Sequence, residues 1–125
     1  MTSNKISLIA ILLLFMITSL FSSDKNFIRI SEEYKTYWSD NDNIDSPTFW
    51  QSIDKKTNLL IATSKKKHNL FVYNAENGKF LYKIGKEGSG QLEFSRPNGI
   101  WEIDDMIFVC ERDNHRIQVL KMPDF

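Results

Sequence analysis

After an unbroken apolar run at 6–21 (ISLIAILLLFMITSLF), the chain changes to short β-branched and aromatic stretches separated by polar breaks. These are 59–63, 70–74, 80–84, 99–103, 106–111 and 117–121. Runs this short, bounded by Gly, Asn, Asp and Pro, predict strands, so the chain reads as all-β. Asn77-Gly78 lies between two such runs and predicts a tight hairpin, because a type I′ turn needs positive φ at both central residues. Residues 24–44 are polar, acidic toward their end, and predict no element.

The opening run is a different object. Lys5 precedes it and Ser22 and Ser23 follow it, the order of a signal peptide over 1–23. It is shorter than the roughly 20 residues a helix needs to cross a bilayer. Cleavage and export are therefore favoured over an anchor, and the location expected is secreted or periplasmic. Leu20 or Phe21 falls where a small side chain is preferred before the cut, which keeps an uncleaved anchor open as the alternative.

The strand region also repeats. Laid over 106–120 (MIFVCERDNHRIQVL), segment 59–73 (LLIATSKKKHNLFVY) matches Ile61 with Phe108, His68 with His115, Leu70 with Ile117 and Val72 with Val119. Upstream, aligning Pro47 with Pro97 and Ile53-Asp54 with Ile103-Asp104 places three extra residues in the first copy, within 55–58. A unit of this length built from several short strands fits a propeller blade. The expected fold is a partial β-propeller, about two blades of four-stranded antiparallel sheet over 45–125, preceded by the signal-peptide helix and a polar lead-in at 24–44. Propeller rings have about four to eight blades, so two units cannot close one. Further blades beyond residue 125, or association of chains, are expected, and unpaired edges predict poor solubility.

Composition narrows the function. Among 125 residues, 42% are hydrophobic and 26% charged, which excludes a disordered chain. The 16 Lys plus Arg cancel the 16 Asp plus Glu, so no overall field draws nucleic acid or an anionic membrane. Membrane contact is expected only through an uncleaved signal segment. Cys110 is the single cysteine and sits in an apolar run, where a small core residue is expected. His68 and His115 recur with the repeat and read as structural, as do Asp113 and Arg116. The run 40–45 lacks the glycine and closing glutamate of a calcium loop and reads as an acidic turn.

Two resemblances give these residues roles. Gly85 to Ile100, with its glycines, Pro97 and Gly99, followed by Asp113-Asn114-His115-Arg116-Ile117-Gln118-Val119, resembles an NHL-type propeller blade. From Asp45 to the end the chain resembles the β-propeller phytases. The matching motifs are Asp45-Ser46-Pro47-Thr48-Phe49-Trp50, Ile61-Ala62-Thr63-Ser64-Lys65, Asn69-Leu70-Phe71-Val72-Tyr73 with Gly78-Lys79, Arg96-Pro97-Asn98, and Val109-Cys110-Glu111-Arg112. That resemblance implies calcium-dependent release of phosphate from phytate-like substrates, a 3-phytase type of activity. It implies Lys65, Arg96 and Glu111 as catalytic groups and Lys65, Lys66, Arg96 and Arg112 as phosphate contacts. Asp45 and Glu111 are the implied calcium ligands. Ser46 stands where the family carries a second acid, which predicts weaker metal binding. The alternatives are a non-enzymatic NHL-type binding module and a truncated product without activity.

Overall fold

The computed structural model describes residues 31–37 and 39–122. The signal peptide at 1–23, most of the lead-in before Ser31 and residues 123–125 lie outside them. The chain divides into a unit ending at Ser31 and a unit from Glu32 to Phe125, and every strand belongs to the latter. Strands β1 (Ile44–Gln51), β2 (Asn58–Ser64), β3 (Asn69–Asn74) and β4 (Phe80–Ile84) form an antiparallel sheet in chain order. A short parallel pair, β5 (Lys86–Glu87) and β6 (Glu93–Phe94), leads into a second antiparallel sheet. That sheet is β7 (Pro97–Ile103), β8 (Met106–Glu111) and β9 (Arg116–Lys121). The all-β expectation holds, with a four-stranded first sheet and three strands in the second among the described residues.

The repeat is real in register. Ser64 pairs with Asn69 across the first turn and Glu111 with Arg116 across the second, and the ladders run on in step from there. Each turn ends on a histidine in the left-handed region, His68 at φ 54 and His115 at φ 50. The leading strands differ from the sequence overlay. Ile44 faces Ser64 as Pro97 faces Glu111, and each strand then takes a bulge. The counterpart of Pro47 is therefore Ile100, paired to Val109 as Pro47 is to Ala62. Matching proline to proline misplaced the insertion, because the bulge and not the residue type sets register. The extra length of the first repeat is the whole β1–β2 connection, 52–57, where the second repeat turns directly through Asp104-Asp105.

Those two aspartates, at φ 49 and 64, adopt the double positive-φ geometry expected at Asn77-Gly78. At 77–78 the chain instead makes a wider loop. The side-chain oxygen of Asn74 accepts the N–H groups of Glu76 at 2.8 Å and Asn77 at 3.2 Å, and only Gly78 is left-handed. An asparagine that satisfies the next two amides favours this Asx turn over the two-residue one.

The sheets share one apolar layer. Trp50, Leu59, Ile61, Leu70 and Val72 from the first meet Ile100, Ile107 and Val109 from the second, with Phe94 and Met122 at the margins. Burying each such side chain is worth about 1.5–3 kcal/mol. Because register alternates, the second sheet contributes its equivalents of Pro47, Leu60 and Ala62, not of Ile61 and Val72. The repeats therefore stack front to back. The second sheet exposes the equivalents of the first sheet's packing face: Phe108 is only partly covered, and Ile103, Met106, Ile117 and Val119 are open beside Trp101, at 66% exposure. Cys110 lies on this face and is exposed, correcting the expectation of a core position.

The opposite face of the first sheet carries Phe71 and Tyr73 with Phe80 packed beside them. Part of the lead-in, which forms no strand or helix among the described residues, covers this face: Tyr73 Oη donates to the Tyr37 carbonyl at 3.0 Å and Tyr34 Oη donates to that of Ala75. Gly78 is where the lead-in comes closest. A Cβ there would stand 2.5 Å from Tyr34 Cδ2, at φ +71. Gly78→Ala is expected to cost roughly 1–2 kcal/mol, read as a lowered denaturation midpoint. Unchanged stability would show that Tyr34 is not seated against this turn.

Candidate functional site

The strand ends next to the two histidine turns are tied in the same way in both repeats. Lys65 N–H donates to the Asn43 carbonyl at 3.2 Å, and Arg112 N–H donates to the Arg96 carbonyl at 3.2 Å. Both acceptors are left-handed, Asn43 at φ 48 and Arg96 at φ 54. The residue that ends the second strand of each repeat also bonds the residue two before its first strand. Ser64 Oγ donates to the Asp42 carbonyl, and Ser95 N–H donates to Glu111 Oε2 at 3.0 Å. Across the repeats, the Arg96 N–H donates to His68 Nδ1 at 3.0 Å, and Ser46 Oγ donates to the Asn98 carbonyl at 2.7 Å.

These ties gather Asn43, Lys65, Lys66, His68, Arg96 and Asp113 around an open cleft of about 400 Å³. Three of the residues expected to hold phosphate, Lys65, Lys66 and Arg96, are thus brought together. Lys65 Nζ is also 2.7 Å from Asp45 Oδ2, so its ammonium is held in place rather than swinging freely. Arg112 contributes its backbone, and its side chain is exposed with Nε 4.0 Å from Asp113 Oδ1. Asn43, His68 and Asp113 were not expected in a site. His68 was read from its recurrence as structural; its signal was its place three residues after Lys65, at the close of a tight turn.

Glu111 does not act as expected. Its carboxylate is buried, at 3% residue exposure, and both oxygens are taken. Oε1 accepts from Arg116 Nε at 2.7 Å and Gln118 Nε2 at 2.7 Å; Oε2 accepts from Ser95 N–H at 3.0 Å and from Asn114 Nδ2. Arg116 goes on to the carbonyls of Ser89, Gly90 and Glu93. Glu111 is therefore the anchor that fastens the glycine-rich segment to the second sheet, and Arg116 ties the blade as expected. Burial alone would raise its pKa, but the hydrogen bonds from Arg116, Gln118, Ser95 and Asn114 outweigh burial and hold it below the usual carboxylate range.

The calcium assignment loses Glu111 on the same ground. Calcium takes about six to eight oxygen ligands, with carboxylates prominent among them. Glu111 has no lone pair to spare, Asp45 is paired with an ammonium, and Ser46 is used to join the repeats. Among the described residues no three His, Cys, Asp or Glu side chains converge as a metal site would need. The described residues do not by themselves complete a calcium site.

The Glu111 network makes stability depend on pH. A carboxyl whose folded pKa lies below its unfolded value, about 4.3, stabilises fully above that value and loses the contribution as pH falls through the folded one. Glu111→Gln is expected to cost roughly 3 kcal/mol near neutrality, because it leaves Arg116 without its buried partner. The same substitution should flatten the stability curve below about pH 4 in denaturant titrations. An unaltered acid limb would remove Glu111 from that role.

No curated protein matches the chain. A family model described as a 6-bladed beta-propeller matches residues 50–122, from the end of β1 to just past β9. The chain belongs to this six-bladed β-propeller family.

Proposed function

We propose that the protein is an exported propeller whose cleft between its first two repeats binds a small oxyanion, a phosphate monoester of the phytate-like class to which the sequence resemblance points. The observation that carries this reading is the meeting of Lys65, Lys66 and Arg96 on one cleft. Arg96 can grip a phosphate through two parallel hydrogen bonds, while Lys66 serves as a mobile point charge. Lys65, held by Asp45, fixes a third positive position. Asp113 adds a carboxylate to the same cleft.

Hydrolysis is the further step that the phytase resemblance adds. Direct attack by water needs a group to orient and deprotonate it, and a candidate base must have a free lone pair within reach. Glu111 is locked and Asp45 is ion-paired, so neither of the expected carboxylates supplies that base, and Asp113 is the carboxylate left on the cleft. The same observation favours the second reading, a propeller that binds the phosphorylated molecule without cleaving it.

Calorimetry with inorganic phosphate and with inositol hexakisphosphate tests binding, and a phosphate-release assay with calcium or a chelator separates the two readings. Arg96→Ala should weaken binding about 10- to 100-fold, the equivalent of a lost charge-assisted pair. Release of phosphate that stops with chelator supports the enzyme. Binding without release supports the module, and absence of binding in the unaltered protein contradicts both.

A further inference from the structure

We propose that His68, neutral and carrying its proton on Nε2, is a positioning residue that fixes Arg96 at the cleft; the assignment rests on reading that cleft as an oxyanion site. The geometry decides the tautomer. A backbone N–H can only donate, and the Arg96 N–H points at His68 Nδ1 at 3.0 Å, so Nδ1 must present its lone pair. The ring proton then sits on Nε2, which faces Glu87 Oε1 at 3.8 Å.

Arg96 needs such a hold. It is a bulky residue at φ 54, a conformation costing about 1–2 kcal/mol outside glycine. Its carbonyl is held by the Arg112 N–H from the turn of the second repeat, and its N–H by His68 from the equivalent turn of the first. The strained peptide is thus clamped between the two repeats, with the His68 side chain only 22% exposed. His115, its counterpart, is exposed and holds no such N–H among the described residues.

Acid would undo the clamp. A proton on Nδ1 turns it into a donor facing a donor, and Arg96 loses one of its two main-chain holds. The charged groups around His68 are Glu87 from β5, Lys65 to Lys67 in its own turn, Arg96 ahead of β7 and Asp113 in the turn after β8. Of these only Glu87 and Asp113 favour the imidazolium, and both are exposed.

Sulfate is the suitable probe, since its charge stays constant between about pH 8 and about pH 5, the range in which histidine titrates. Sulfate affinity of the unaltered full chain should fall roughly five- to tenfold over that acidification, the scale of one hydrogen bond. His68→Leu should show the weakened affinity already at pH 8. His68→Asn, whose side-chain oxygen can accept the same N–H and which tolerates positive φ, should bind sulfate more tightly than His68→Leu at pH 8 and lose the pH response. Histidine ¹⁵N spectra read the clamp without any anion: Nδ1 should be unprotonated near pH 8, and a protonated Nδ1 overturns the proposal. So does sulfate binding that strengthens in acid, which would make the imidazolium a direct ligand, or His68→Leu binding as well as the unaltered protein. Absence of sulfate binding with the expected tautomer present would instead sink the cleft reading, and with it the purpose of the clamp.

Discussion

The cleft depends on the apolar layer shared by the two sheets. Ile61, Leu70, Val72, Phe94 and Val109 are fully buried in it, together with Trp50. Hydrophobic burial has no direction, so the layer fixes how close the sheets lie and leaves their offset to the polar ties at either end. At one end Trp50 Nε1 donates to Asp105 Oδ1 at 2.8 Å, and at the other Ser46 donates to the Asn98 carbonyl and Arg96 to His68. Each tie contributes about 1 kcal/mol net, far less than the layer. Their effect is placement: they set the Lys65–His68 turn against the loop that carries Arg96.

Stacking front to back makes the arrangement serial. The face by which the first sheet receives the second has its counterpart, residue for residue, on the outside of the second, from Ile103 and Met106 through Phe108 to Ile117 and Val119. In a six-bladed family that face is where a ring continues. Equivalent corners are also solved differently. At the end of β2, Ser64 needs only the Asp42 carbonyl, and the lysines after it reach the cleft. At the end of β8, Glu111 gathers four donors and becomes structure. The cleft is thus cationic on the side of the first repeat, where β2 ends in Ser64 rather than in a buried acid such as Glu111.

Much of this was legible in the sequence. Alternating apolar runs, matched across 59–73 and 106–120, gave the strands, the turns and the equivalence of His68 with His115, since period and spacing survive folding directly. The gathering of Lys65, Lys66 and Arg96 was also readable, through the phytase resemblance that assigned all three to phosphate. The leading strands were misregistered, since a bulge shifts pairing without leaving a mark as plain as a shared proline. Glu111 was misjudged because a carboxylate in a motif looks the same whether it faces a ligand or is surrounded by Arg116, Gln118 and Asn114. Only three-dimensional counting of its lone pairs tells the two apart.

Amide hydrogen exchange on the intact chain tests the central claim, that paired backbone ties hold the two turns at the cleft. Turn amides ordinarily exchange quickly. The N–H groups of Lys65, Arg96 and Arg112 should instead be protected to a degree approaching that of strand residues such as Ile61 and Val109. Exchange of these three at unprotected rates, while the strands stay protected, would contradict the account.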